Sequence, residues 1–447
     1  MTTWQPKPKI INQKIPNQHI FLYQGFAELI NNEQVFEGKV FVKISWYPSP
    51  NINFKFVYSG EDRIDLDNQD KLELKLTELV PQHRLRVHIS SSTHWGNKKN
   101  QLSGYLTEPF IQGKTNNLAS VVFHIPNFWW FNISNHFGYK EDEQGNPVED
   151  EEGNPVEIEL EGWLMFDGQF IFDYDNWHIV LSTLDNCYEL EELLKSEGGY
   201  GVTHICKIER LDNTIFTLDD AYEIIEAFNY YLSFVRGIWI APLLVSGFDS
   251  EGNQLLEEWR NPIIEADSWQ QGYHWAYVDS TTEIVAPFAG FMKKWQDSTW
   301  KELIQNAIQW YIESLKHSNG YNSSIILLQA ALEKIAWTFL KVNECVTSDG
   351  FNGLKASGQI RLLLKFLDIR LEPIEEYIEI HKKAKELNWN DSVTAIAEVR
   401  NSIVRPQIKL NKPQFTSEKI MQEAFQVSNT YLLKCLLKLF EYPYSID

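Results

Sequence analysis

The chain has 447 residues, of which 43% are hydrophobic and 23% charged, and its formal net charge is −21. This composition excludes a disordered polymer, and the length predicts two or three domains rather than a single core. The charge is uneven. Residues 301–447 hold 18 Lys/Arg against 17 Asp/Glu, so residues 1–300 carry nearly all of the excess acid and should repel polyanions.

The features that decide the compartment point to the cytoplasm. No apolar run reaches the roughly 18 residues that cross a bilayer, and the segment after Met1 lacks the apolar core of a signal peptide. The four cysteines are scattered without a CxxC pair, as in proteins with reduced thiols. We therefore expect a cytoplasmic protein that does not enter a membrane.

Residues 1–186 are predicted to form a β-rich, sandwich-like domain. Apolar and polar side chains alternate in short segments separated by polar turns, at residues 40–46, 52–56, 72–76, 85–89, 119–125, 158–166 and 177–181. Period-two alternation is typical of antiparallel strands with one buried face, in a sandwich or a barrel.

A short internal repeat interrupts these strands. Residues 141–148 (EDEQGNPV) recur as residues 149–156 (EDEEGNPV). Gly-Asn-Pro is turn chemistry and the rest is acidic, so we expect a duplicated, solvated loop. A calcium site is the alternative, but the Asp-x-Asp-x-Asp-Gly spacing of a calcium loop is missing.

Residues 187–300 are predicted to be an α+β section that packs on the β-rich domain. A hydroxyl at Thr217 and an acid at Asp220 mark a helix start, and apolar residues keep helical spacing as far as Gly237. A buried strand is expected at residues 238–245 and a turn at residues 249–253.

Residues 301–447 are predicted to form an all-helical bundle. Apolar residues follow a helical period, and six segments result, at residues 303–316, 323–342, 359–367, 373–387, 392–404 and 417–440. The fold class is therefore a multidomain α+β protein, with a β-rich N-terminal region, an α+β middle section and a helical bundle.

The most informative stretch of the bundle is residues 395–409 (AIAEVRNSIVRPQIK). Arg400 and Asn401 are followed by three variable residues, then by Arg405 and Pro406. Pro406 disfavours helical dihedrals at Arg405, so the helix should end there. With the helices around it, including residues 326–337 and the acid at Glu333, this stretch resembles the HEPN family of helical bundles, particularly the Apea-like HEPN proteins of bacterial defence. The β-rich region more faintly resembles the domain that accompanies such modules.

The resemblance implies a dimer whose Arg and His residues act on RNA, the Arg holding phosphate and the His serving as acid or base. Here Arg405 stands where the family has histidine. Guanidinium stays protonated, so Arg405 cannot be a base, although it can bind phosphate. The expected catalytic positions are thus a degenerate set, Arg400, Asn401 and Arg405. The expected RNA- or phosphate-binding residues lie in a stretch without acids and are Arg400, Arg405, Lys409 and Lys412.

Several functions remain open at this point. The chain is either a defence-related or RNA-associated protein with an inactive bundle and an N-terminal sensor or scaffold of unknown ligand, or a metal-independent endoribonuclease with a displaced base such as His381. In a third alternative the bundle only dimerises, and Trp95, Trp129 and Trp130 form an exposed platform for a glycan or peptide. Arg400 would then pair structurally with Glu333 or Glu398.

No cofactor or metal site is predicted. The sequence contains no P-loop, no GxGxxG and no GxSxG segment. His83, His88 and His94 are close together, but they do not supply the four converging ligands that structural zinc needs.

Overall fold

The structure is a computed structural model, and it describes residues 11–31, 34–60, 72–79, 83–95, 99–129, 137–139, 157–159, 169–271, 275, 281–316, 320–342, 346–404 and 417–443. The chain divides into two units. The first comprises Met1–Glu223, Ile240–Gln271 and Val278–Thr281, and the second Ile224–Trp239, Gly272–Tyr277 and Thr282–Asp447. The acidic repeat at residues 141–156 lies outside the described residues.

The first unit begins with a closed six-stranded antiparallel barrel. Its strands are β1 (Ile20–Asn31), β2 (Gln34–Ser45), β3 (Asn51–Ser59), β4 (Glu73–Leu76), β5 (His83–Trp95) and β6 (Lys99–Leu106), in the order β1-β2-β3-β6-β5-β4. Alternate residues, such as Phe54 and Phe56, fill the interior. Alternation left a sandwich or a barrel open here, and the domain was expected to be sandwich-like. The structure has a closed barrel, which alternation alone does not predict, because it reveals a buried face but not that β4 pairs with β1.

A seven-stranded sheet completes the first unit. The remaining strands are β7 (Phe110–Gly113), β8 (Ser120–Pro126), β9 (Phe137–Tyr139), β10 (Glu157–Glu159), β11 (Gln169–Tyr174), β12 (Trp177–Thr183), β13 (Val202–Arg210), β14 (Leu243–Phe248) and β15 (Gln254–Trp259). The order is β11-β12-β13-β8-β14-β15-β7, while β9 pairs with β10. The predicted boundary after residue 186 thus falls between β12 and β13, which are hydrogen-bonded neighbours.

Two histidines are enclosed in the centre of this sheet. His124 of β8 is 3% exposed and His204 of β13 is 0% exposed. Burial lowers the pKa of His124 to about 4 and that of His204 to about 3. Neither ring nitrogen of His124 has a hydrogen-bond partner among the described residues, whereas Nδ1 of His204 lies 2.9 Å from Oγ1 of Thr203.

A charged cluster with a fully buried carboxylate lies in the first unit. Glu258 of β15 is 0% exposed and accepts a hydrogen bond from Nε of Arg260 at 2.7 Å. The hydroxyl of Tyr222 donates to the other carboxylate oxygen, and the Arg260 guanidinium lies 4.5 Å from the centre of the Tyr222 ring. Burial raises the pKa of Tyr222, and the negative charge of Glu258 raises it further.

The helices before the bundle are α1 (Cys187–Glu197) and α2 (Leu218–Arg236). The predicted start of α2 is confirmed, because the backbone N–H of Asp220 donates to Oγ1 of Thr217 and the Thr217 N–H donates back to the Asp220 carboxylate. The helix stops at Gly237, whose φ is 73°. The predicted turn is closed by the N–H of Asp249 donating to the Asn253 carbonyl.

The second unit is helical, as predicted for the C-terminal region. Its helices are α3 (Thr281–Val285), α4 (Phe288–Trp295), α5 (Ser298–Leu315), α6 (Tyr321–Val342), α7 (Ser348–Asn352), α8 (Ala356–Phe366), α9 (Ile378–Leu387), α10 (Ser392–Val404) and α11 (Glu418–Leu439). By length and composition alone α6 would pass for a membrane span, but 56% of its apolar window is buried inside the protein, as in core helices.

The core of this unit includes residues that precede the predicted start at residue 301. Phe234, in the second half of α2, contacts the rings of Tyr311 and Phe440 at 5.5 and 5.7 Å between centroids. Gly290 of α4 lies so close to Phe440 that an added Cβ would meet its carbonyl oxygen at 2.0 Å. A fragment that begins at residue 301 therefore lacks part of its own core.

Candidate functional site

The candidate site lies where α10 crosses α6. Gln329 of α6 is completely buried, and its Nε2 donates a hydrogen bond to the carbonyl of Ile396 on α10. Glu333 and Arg400 follow four residues later on their respective helices, and residues four apart share a helix face. The contact that fixes the two helices therefore also places Arg400 against Glu333.

Arg400 and Glu333 form a loose ion pair. Nη2 of Arg400 is 3.9 Å from Oε1 of Glu333, and their side chains are 23% and 30% exposed. This distance suits a charge interaction but exceeds a hydrogen bond. Nε of Arg400 and Oε1 of Glu333 are buried with no hydrogen-bond partner among the described residues. The guanidinium thus has a donor that no described residue uses.

The start of α10 is anchored by a carboxylate. Asp391 accepts bonds from the N–H of Thr394 at 2.7 Å and from Nε and Nη2 of Arg361, each at 2.9 Å. Burial raises the pKa of Asp391, but the hydrogen bonds from Thr394 and Arg361 outweigh that effect and hold the pKa below its usual value. This cap and bidentate pair fix the helix that carries Arg400.

The structure places two of the predicted site residues. Arg400 and Asn401 lie in the last turn and a half of α10, each with a partly buried side chain. The helix ends at Val404, next to the position expected from Pro406. Arg405, Lys409 and Lys412 lie outside the described residues. Of the two predicted structural partners, Glu333 meets Arg400, whereas Glu398 is exposed.

His381 lies on a helix whose main contacts differ from those of α10. It lies on α9, whose main helix contacts are with α11 and the 3₁₀ turn Ile374–Glu376. The main contacts of α10 are with α6, α8 and α11. The main contacts of these two helices therefore do not bring His381 to Arg400.

One of the three tryptophans that were expected to form an exposed platform is buried. Trp129 is 4% exposed and stacks on the buried Phe128 with 4.6 Å between ring centroids. Its face is covered by core packing, as is usual for aromatic clusters inside β-domains. Trp95 is 46% exposed on the barrel, and Trp130 lies outside the described residues.

Comparisons with known proteins give matches along most of the chain. Residues 113–271 match the YopA central domain, and residues 297–445 match the YopA C-terminal domain. A relative described as the SPbeta prophage-derived uncharacterized protein YopA of Bacillus subtilis (strain 168) is 22% identical over 405 residues, which is 88% of this chain and 84% of that protein. This chain is similar to YopA. No solved structure matches it.

The YopA domain matches agree with the observed elements. The central-domain match runs from the end of β7 past β15, and the C-terminal match begins at Asp297, whose carboxylate caps α5. Arg400 and Glu333 both lie within the YopA C-terminal match. The barrel precedes both matches.

Proposed function

We propose that the helical unit is a HEPN-like module that binds RNA through phosphate without cleaving it, and that it dimerises. The observation that carries this proposal is the Arg400 side chain, held at the end of α10 with an unsatisfied Nε and a distant counter-ion. The acid-free basic stretch that follows in the sequence, with Arg405, Lys409 and Lys412, supplies further positive charge.

Chemistry at this site argues against cleavage. General acid–base cleavage of RNA needs a group that exchanges a proton near neutral pH. Arg405 occupies the position of the family's histidine and stays protonated. His381 is on a helix whose main contacts are elsewhere.

A second candidate function is favoured by the ion pair itself. If Arg400 serves only to pair with Glu333, the bundle acts as a dimerisation module, and ligand recognition belongs to the N-terminal region as sensor or scaffold. The prophage origin of the YopA relative is in keeping with a role for either form in conflict between phage and host.

The full-length protein should have little ribonuclease activity, and Arg405→His should raise it, because the substitution supplies an imidazole at the only motif position that departs from the family pattern. The measurement is cleavage of a labelled single-stranded RNA in EDTA, with Lys409→His as the matched control. Metal-independent cleavage by the unmodified protein that Arg400→Ala abolishes would contradict the proposal.

Arg400→Ala in the full-length protein should weaken RNA binding about ten-fold, since a charge-assisted phosphate contact is lost. The salt dependence should become shallower by roughly 0.7 in slope. Fluorescence anisotropy over a salt series measures both, with Lys382→Ala on the exposed face of α9 as control. Unchanged affinity together with a lower melting temperature would identify Arg400 as a purely structural partner of Glu333.

A further inference from the structure

Aromatic and lysine side chains face each other across the strands of the barrel. Four such pairs are directly opposite in the strand register, namely Phe21 and Lys43, Phe26 and Lys39, Phe41 and Lys55, and Trp95 and Lys99. The seven on β1, β2, β3 and β6 alternate with interior residues, so they lie on the outer surface of the barrel. Trp95 lies in the end of β5 at which residues 91–95 are all exposed. We call this surface the basic–aromatic face.

The aromatic rings of this face are accessible. Phe21, Phe26 and Trp95 are 52%, 55% and 46% exposed. Large apolar side chains clustered at the surface mark interaction sites more often than single ones do. The lysines reach over these rings, with Nζ of Lys39 at 5.2 Å from the centroid of Phe26 and Nζ of Lys99 at 5.8 Å from that of Trp95.

The positive charge of the face is poorly neutralised. Lys43 and Lys55 are diagonal neighbours on β2 and β3, and neither has an ion pair with a described residue. Partial burial lowers the pKa of Lys43, and the charge of Lys55 lowers it further. Among the acids nearby, Glu28 is paired with Lys75 at 2.9 Å, Glu78 lies against Gly25 of β1, and Glu37 is the one exposed acid of β2.

A groove crosses the same face. It has a volume of about 900 Å³, and its lining includes Phe26, Glu37, Lys39, Phe41, Val57 and Lys99. The groove therefore combines exposed ring faces with ammonium groups at both sides, in a size range that suits a small ligand or a segment of a polymer.

We propose that the basic–aromatic face of the barrel binds single-stranded nucleic acid, with bases stacking on Phe26 and its neighbours and phosphates lying on Lys39, Lys43, Lys55 and Lys99. Stacking platforms combined with lysines are the means by which proteins hold single strands without reading sequence. A duplex conceals its base faces and would not use the rings. An acidic peptide would use the lysines but has no planar base for Phe26.

This site is independent of the one proposed on α10. The lysines belong to the barrel and Arg400 to the helical unit, so each can be removed separately in the full-length chain. A loss of binding in the barrel variants alone supports the barrel site and counts against Arg400, and the opposite pattern does the reverse.

The test measures binding of a fluorescein-labelled oligouridylate of about 12 nucleotides to the full-length protein by anisotropy, at low ionic strength and over a salt series. Lys43→Glu/Lys55→Glu should weaken binding at least ten-fold and make the salt slope shallower by roughly 1.4, which corresponds to two phosphate contacts. Phe26→Ala should weaken it about ten-fold through lost stacking.

The matched control is Lys114→Glu/Lys365→Glu, which makes the same change in net charge at two exposed lysines outside the barrel strands. It should retain most of the affinity, and circular dichroism should show that every variant is folded. Equal affinity of the Lys43/Lys55 variant and the unmodified protein would overturn the proposal. A second result would also overturn it: polyglutamate competes as strongly as unlabelled RNA, and Phe26→Ala has no effect on binding. That result would assign the face to acidic peptides.

Discussion

Lowering the pH from 7 to 5 should reduce the free energy of unfolding by about 4 kcal/mol through His124 and His204. Burial holds their folded-state pKa values at about 4 and about 3, below the unfolded value of about 6.5. The unfolded chain therefore binds more protons below pH 6.5, and stability is lost as pH falls from there toward the folded-state values. At pH 5 each histidine accounts for roughly 2 kcal/mol.

Urea denaturation at pH 7, 6 and 5 measures this loss. His124→Leu should remove about half of the dependence, and it breaks no hydrogen bond to a described residue because neither ring nitrogen of His124 has such a partner. The carboxylates with lowered pKa, such as Asp391, act below this window, near and under their ordinary pKa. An unchanged pH dependence in His124→Leu would show that the imidazole takes up its proton inside the folded protein.

Arg260→Leu should destabilise the protein by about 3–5 kcal/mol at pH 7. Glu258 is fully enclosed, and the substitution removes the guanidinium that donates to it at 2.7 Å. The Tyr222 hydroxyl alone then faces a buried negative charge, which is the costly way to break a buried pair. Urea denaturation again gives the free energy.

The double variant Glu258→Gln/Arg260→Leu is the control, because it removes the charge along with its partner. It should recover most of the lost stability, since a neutral amide still bonds with Tyr222. A loss below about 1 kcal/mol in Arg260→Leu would contradict the prediction that Glu258 depends on the Arg260 guanidinium as its partner.

Local sequence patterns predicted most helices and strands but few of the contacts between them. The alternation at residues 52–56 and 72–76 identified β3 and β4, and the period of residues 392–404 identified α10 to the residue. Closure of the barrel depends on β4 pairing with β1, which is a long-range contact with no local signal. Helix α4 escaped notice because its eight residues make only about two turns, which is too short for a helical period to stand out.

The candidate sites show the same difference between local patterns and long-range contacts. Arg400 and its partner Glu333 were both recognisable, because each lies in a stretch that resembles a known helical family, residues 395–409 and residues 326–337. The basic–aromatic face was not recognisable from the sequence. A charge count over residues 1–300 predicts repulsion of polyanions, and Lys39, Lys55 and Lys99 are far apart in sequence. Strand register brings them together on one surface.

The strand order of the large sheet has a consequence for synthesis on the ribosome. All seven residues of β8 are buried, yet its neighbours β13 and β14 are translated much later, β14 ending at Phe248. The barrel strands are complete once Leu106 has emerged. Until Phe248 has been synthesised, β8 is an apolar strand that lacks at least one of its two neighbours. A nascent chain paused in this interval exposes an unpaired apolar strand and should need a chaperone.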